Sequence, residues 1–306
     1  MKLVVARLRS EFRPSDLARL KKYSPVYYET KETPFDSISE LFTDEEVVLA
    51  VKPGHIDGGW KGITKDRLSQ IKKLRALCLS TTAYGWVPHD YLKSKKIPLT
   101  YTPGKSTNAV AEFCTFMAIG LLKKLPLIIK NDWVENSNHL GAELKSKKVG
   151  IVGLGIIGLR VADLCHAHGA IVFFWNRSPK RTPYPQVDIE KLFKQSDIVI
   201  ITVASNAQTK GLISRKLIDL MGIKSLIVSV VDSDVYAEKY ILEKVAKNEL
   251  GGYAFEGEEK MHDFEGNVLA MPEIAYYTRE TLENESRLLT DSIISIAEGH
   301  PVNLAK

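Results

Sequence analysis

Apolar positions along the chain follow two alternating rhythms. Short runs rich in Val, Ile and Leu, closed by Gly, Pro or polar clusters, read as strands. In the first hundred residues these are "KLVVARL", "EEVVLAVKP", "LRALCLSTT" and "IPLTYT". The helical pattern "TKDRLSQIKKL" precedes the third. "STNAVAEFCTFMAIGLLKKL" then predicts one long helix, which Ser106 or Thr107 can cap. It is apolar on most faces and is expected to be buried between domains or subunits.

From Lys147 the alternation sharpens. "KKVGIVGLG" is a strand running into a glycine turn, and "IIGLRVADLCHAHG" is a helix closed by Gly169. "AIVFFW", "SDIVIITVA", "KSLIVSVV" and "GYAFE" are further strands, and "AEKYILEKVAKNELGG" is a helix. Nearly continuous apolar runs are what parallel strands show when helices cover both faces. The last helix, "TRETLENESRLLTDSIISIAEG", is expected to leave this sheet. The fold class is therefore α/β, with doubly wound parallel sheets. The expected domains are 1–100 with 285–306, and 101–284.

The glycine turn carries the first chemistry. In "VGLGIIG", Gly153, Gly155 and Gly158 follow a strand and open a helix. That context marks a dinucleotide-binding turn. Gly153 permits the tight turn, Gly155 a close approach of pyrophosphate, and Gly158 close packing of helix on strand. Ile156 and Ile157 begin the helix whose N–H groups would face the phosphates, and Ala204, after "SDIVIITV", is expected to line the same cofactor. The next strand ends in "WNRSPKR". Asn176 stands where NAD-binding proteins usually place Asp or Glu, and Arg177 and Ser178 follow. An Arg–Ser pair suits a 2′-phosphate, so NADP is favoured over NAD.

A complete α/β unit, then a mid-chain glycine turn, then a returning terminal helix resembles the D-isomer-specific 2-hydroxyacid dehydrogenase family. The resemblance spans nearly the whole chain. Its motifs are "TPGKSTNAVAEF", "KSKKVGIVGLGIIG", "LIDLMGIKSLIVSVVDSD", "LGGYAFEGEE" and "NVLAMPEIAYYT". It implies two Rossmann-like domains of formate/glycerate dehydrogenase-like architecture, paired into a homodimer through the cofactor domain. It also implies a site in which an arginine binds the substrate carboxylate, a histidine donates the proton, and a glutamate supports the histidine. All three residues differ here. The arginine position falls on Asp232, with Ser233 in place of the following glycine and Ser229 near an asparagine position. The histidine position is Glu273. The glutamate position falls near Met261, just after Glu258 and Glu259, and the family's cofactor-side aspartate reads Glu256. In the substrate loop "STTAYGWVPHD", Ala83 and Trp86 stand where the family offers glycines.

These replacements change the expected chemistry. On residue type alone, Glu273 would be a solvated loop carboxylate. The resemblance makes it a candidate proton donor, since a carboxyl with a raised pKa can act as a general acid. Asp232 instead repels a keto-acid carboxylate: two unit charges at ~4 Å interact by about 4 kcal/mol at an effective dielectric near 20. Three readings are open. The protein is an NADP-dependent oxidoreductase whose catalytic set is Glu273, Asp232 and Glu256, acting on a small carbonyl, hydroxyl, imine or amine. Or it is an inactive NADP-binding pseudoenzyme with a regulatory or scaffold role. Or the substrate side is conventional and the alignment shifted, with His262 as the nearest histidine. The first is the one adopted.

Composition adds limits. The 306 residues are 44% hydrophobic with a net charge of +5, which suits two folded domains and does not call for nucleic acid. Cys78, Cys114 and Cys165 form no framework and sit in apolar contexts, as in a reducing compartment. No metal site is expected, even at the ligand-rich "CHAH", because neighbours on a helix diverge. There is no signal-peptide pattern, and "FCTFMAIGLL" is far short of the ~20 residues that span a bilayer. A cytoplasmic protein with a small-molecule substrate is the expectation.

Overall fold

The structure is a computed structural model and describes every residue except Lys61, Asn138 and Lys306. Its contacts separate into two units, Met1–Ser106 with Thr278–Lys306, and Thr107–Tyr277. The changes of unit fall at 106/107 and 277/278, against the expected 100/101 and 284/285. The latter position lies inside a helix, Arg279–Ala297. That helix buries Leu289, Ile293 and Ile296 in a core shared with Leu3, Val5 and Val48 of the first unit.

The first unit is built on β1 (Lys2–Ala6), β2 (Val26–Tyr28), β3 (Val47–Val51), β4 (Leu74–Leu79) and β5 (Leu99–Thr100). All neighbours are parallel, in the order β2-β1-β3-β4-β5. Alternate residues point to opposite faces. Val4, Ala6, Val47, Leu49 and Val51 thus enter one core, while Leu3, Val5, Val48 and Ala50 enter the other. Both faces are covered, which is why β3 reads as an unbroken apolar run.

The second unit holds β6 (Lys148–Val152), β7 (Ile171–Trp175), β8 (Ile198–Ile201), β9 (Leu226–Ser229), β10 (Gly252–Glu256) and β11 (Val268–Met271). They form a parallel sheet in the order β11-β10-β9-β8-β6-β7. The long helix is Thr107–Leu122. Its Ala111, Cys114 and Ala118 share a core with Val161, Ala162 and Cys165 of the helix Ile156–Ala167 and with Val149, Ile151 and Leu269 of the sheet. The apolar faces of the long helix are thus largely taken up inside this unit; Glu112 and Phe116 remain exposed.

The helix Ile156–Ala167 ends at Gly169, whose φ of +82° is left-handed. Gly169 N–H donates to His166 O and Ala170 N–H to Cys165 O, closing the helix end with a pair of reversed bonds. All three cysteines are free and buried, and burial pushes the Cys78 and Cys165 thiols up to about 12. Cys165 is buried whereas His166 and His168 of "CHAH" are exposed. Among the described residues no group of three or more potential ligands converges on a metal position, and no helix is long and apolar enough to cross a membrane.

Candidate functional site in the second unit

Ligands of open parallel sheets bind outside the carboxyl ends of the strands, where the strand order reverses. In the second unit that place lies between β6 and β8, because the chain runs from β6 outward to β7 and then returns to the other side. The glycine turn leaves β6 there. Gly153 has φ +96°, and a Cβ on it would stand 2.5 Å from Val203 Cγ1. A Cβ on Gly158 would collide with the Gly153 carbonyl oxygen and come within 2.7 Å of Thr202 Oγ1. A Cβ on Gly155 would meet nothing within 4 Å. Two glycines are thus fixed by packing and the third faces open space, at the start of the helix Ile156–Ala167. Thr202 Oγ1 donates to Gly153 O at 2.7 Å and holds the turn to the strand beside it. Ile156 is exposed, and Ile157 is partly buried against the core.

Asn176 directly follows β7. Its Nδ2 donates to Ser178 O at 2.9 Å and to Ser178 Oγ at 3.3 Å, which leaves the Ser178 hydroxyl proton able to donate elsewhere. Arg177 is exposed and hydrogen-bonded to Gln208 Oε1. Gln208 stands on the loop after β8, where Ala204 O accepts from Thr209 Oγ1 at 2.7 Å. The sequence reading did not include Thr202, Val203 or Gln208. Their roles depend on β8 lying beside β6, which no local pattern states.

The three acidic candidates sit at the carboxyl ends of adjacent strands of this same sheet. Asp232 follows β9, Glu256 ends β10, and Glu273 follows β11. Asp232 and Glu273 are exposed, and Glu256 is partly buried. A tight turn after β11 folds back: Ile274 N–H donates to Pro272 O, and Ala275 N–H donates to Glu256 Oε1 at 2.7 Å. Burial raises the Glu256 carboxyl above its ordinary value and the nearby Glu273 carboxylate adds to the rise, while the Ala275 and Ile274 N–H groups oppose it. Glu256 and Glu273 are thus brought together. None of the described hydrogen bonds or ion pairs ties Asp232 to either. His262 is exposed on a short 3-10 turn, Met261–Asp263.

A cavity of about 870 Å³ also opens in this unit, at the opposite end of the strands. Its lining includes Lys147, Asp197, Leu226, Gly251 and Asn267, which stand at or just before the starts of β6, β8, β9, β10 and β11. None of the candidate residues lines it.

A model of the D-isomer specific 2-hydroxyacid dehydrogenase NAD-binding domain matches residues 121–277, just over half of the chain. A glyoxylate reductase of Aeropyrum pernix is 26% identical, over 92% of this chain and 87% of its own. The glyoxylate/hydroxypyruvate reductase B of Pectobacterium atrosepticum is 26% identical, over 82% and 84%. Among solved structures, an acyclic imino acid reductase in complex with NADPH and D-Arg superposes with a TM-score of 0.84 at 24% identity, covering 100% of both chains. A D-lactate dehydrogenase of Aquifex aeolicus, complexed with NAD and lactic acid, gives 0.78 at 21% identity over 98% and 96%. These likenesses establish the fold of both units and a pyridine-nucleotide domain in the second. With a glycine turn of the required geometry at the switch point of a parallel sheet, the chain belongs to the D-isomer-specific 2-hydroxyacid dehydrogenase family of oxidoreductases.

Proposed function

We propose that the protein is an NADP-dependent oxidoreductase with an atypical acidic site, acting on a small carbonyl or hydroxyl compound or on an imine or amine. Gly153, Gly155 and Gly158, with Ile156 and Ile157, would hold the pyrophosphate. Asn176, Arg177 and Ser178 would hold the adenosine ribose and its 2′-phosphate, and Ala204 would line the cofactor. The cofactor, when bound, supplies or accepts the hydride. Arg177 and Ser178 offer a guanidinium and a free hydroxyl proton, and Asn176 offers no charge to repel a phosphate.

The observation that carries the enzymatic reading is Glu256. A carboxyl held above its ordinary pKa at the edge that bears the glycine turn can store a proton and release it. Burial holds the Glu256 carboxyl above its ordinary value and the Glu273 carboxylate adds to the rise, and Asp232 adds negative charge at the end of β9. Such a set favours a substrate end that is neutral or becomes cationic, as an imine does. It disfavours a carboxylate at Asp232, where the family carries arginine.

The test is a screen of NADPH oxidation by the purified protein. Glyoxylate, hydroxypyruvate and pyruvate are expected to react poorly, and imines or uncharged carbonyls to react better. Fast turnover with the keto acids alone would contradict the reading. Asp232 also favours a second reading, a cofactor-binding protein that has lost catalysis. NADPH binding with no turnover on any of these classes would select it.

Homodimerisation and a reducing cytoplasmic setting complete the proposal. The segment after the long helix exposes Ile128, Ile129, Trp133, Val134 and Leu140, the last at 77%, a run of apolar surface suited to a second copy. The three buried free thiols suit a reducing compartment.

A further inference from the structure

The cavity at the starts of the strands in the second unit takes no part in the cofactor site. Its volume, about 870 Å³, lies within the ~300–1,000 Å³ of small-molecule sites. Part of its lining is apolar. Leu140 and Ile223 belong to it and leave 77% and 68% of their surface exposed. Behind them stand the buried Leu122 and Leu127. Of the apolar run offered above to a second copy, Leu140 lines the cavity, whereas Ile128, Ile129, Trp133 and Val134 do not.

The rest of the lining is cationic. Lys124, Lys147 and Lys224 contribute ammonium groups. Among the described residues no ion pair engages any of the three. Asp197 is the one carboxylate among the described lining residues. It stands beside Lys147 at the starts of adjacent strands, and its Oδ2 accepts from Lys148 N–H at 2.8 Å. Positive charge is thus left uncompensated at Lys124 and Lys224. Lys124 is half-buried; burial lowers its pKa and the neighbouring Lys224 ammonium lowers it further. The Lys124 backbone has φ +58°, in the left-handed region that disfavours a side chain larger than that of glycine or asparagine. A lysine here therefore sets a cation partly out of water, beside a second cation, on an unfavourable backbone. An organic anion relieves the first two, and exposed apolar walls beside the ammoniums suit an apolar chain attached to it.

We propose that this cavity binds a small amphiphilic anion, a carboxylate carried on an apolar chain, with the carboxylate between Lys124 and Lys224 and the chain against Leu140 and Ile223. The site lies at the end of the sheet opposite the glycine turn and does not depend on the cofactor assignment.

The test is calorimetric titration of the whole chain with butanoate, hexanoate and octanoate at neutral pH and fixed ionic strength. One saturable site per chain is expected, tightening about fourfold for each CH₂ that reaches the apolar wall. 1-Octanol should bind about tenfold or more weaker than octanoate, and octylammonium weaker still. Lys124→Asn removes the charge and suits the backbone, so its thermal midpoint should not fall. Its octanoate affinity should drop about tenfold or more, with NADPH binding unchanged. Ile223→Glu, at an exposed position, sets a built-in carboxylate beside the ammoniums and should weaken octanoate as much. Lys194→Met, exposed and outside the lining, should change nothing. Heat that never saturates, equal affinity for octanoate and 1-octanol, no gain with chain length, or full affinity in Lys124→Asn overturns the proposal. So does octanoate binding confined to a monomer by light scattering, because a second copy then fills the cavity. A parallel NADPH titration reads the other end of the sheet, so the two readings fail separately.

Discussion

Gly158 and Glu256 show how single residues carry the site. A methyl group at Gly158 collides with the Gly153 carbonyl oxygen and crowds Thr202. Gly158→Ala is therefore expected to cost about 1–3 kcal/mol through overpacking and to weaken NADPH binding; the thermal midpoint and a fluorescence titration read the two effects. Glu256 gives a pH signature. Its folded-state pKa is raised, so its charge penalises the folded state above that value and the penalty disappears as pH falls through it towards the unfolded value. Glutamine keeps the acceptor for Ala275 N–H without the charge. Glu256→Gln should equal or exceed the wild type in stability near neutral pH, with the gap closing towards pH ~4; denaturant melts across that range check it. Much of this site was legible in the sequence because each glycine answers a local demand of the turn. The holding of Gly153 by Thr202, the pairing of Arg177 with Gln208 and the fold-back of Ala275 onto Glu256 were not, since each joins segments that only strand order brings together.

At the scale of elements, the terminal helix Arg279–Ala297 is capped by Thr278, whose Oγ1 accepts from Thr281 N–H at 3.2 Å. Removing that acceptor leaves a helix-end donor unmatched. Thr278→Ala should lower stability by about 1 kcal/mol, measured by urea unfolding, and Thr278→Ser should restore most of it. The strands divide by burial. β6, β8 and β9 are apolar runs closed by polar residues or glycine, and their pattern identifies them. β2 spans only Val26–Tyr28, lies at a sheet edge and is half-buried, so it has too few residues to show a period. β11 is also an edge strand, and Pro272 closes it, so its four residues read as part of a motif rather than as a strand. The long helix looked like an interface element because apolar residues ring it. In the structure the helix Ile156–Ala167 and the sheet lie against those faces.

At the scale of the whole molecule, acid should act through the first unit. Burial raises the pKa of Asp16, but Arg13, Ser286 and Arg19 outweigh it and leave the carboxyl lowered. Glu11 is likewise lowered by Lys52 and Arg7 against its burial. Lowered carboxyls stabilise the fold above their unfolded values and lose that contribution as pH falls through the folded ones. Unfolding is expected to begin below about pH 4, and Asp16→Asn should remove about 1–3 kcal/mol at neutral pH while flattening the acid limb; circular dichroism across pH reads both. The two-unit plan follows from the length and the repeated α/β rhythm, but the unit boundaries follow from contacts, since all of the terminal helix belongs with the first sheet. The central claim is that the second unit binds NADP through Arg177 and Ser178, and its most direct test is titration of the purified protein with NADPH and NADH by nicotinamide fluorescence. The account predicts tighter binding of NADPH and a loss of about tenfold or more of that preference in Arg177→Ala; equal or tighter binding of NADH, unchanged in that variant, would contradict it.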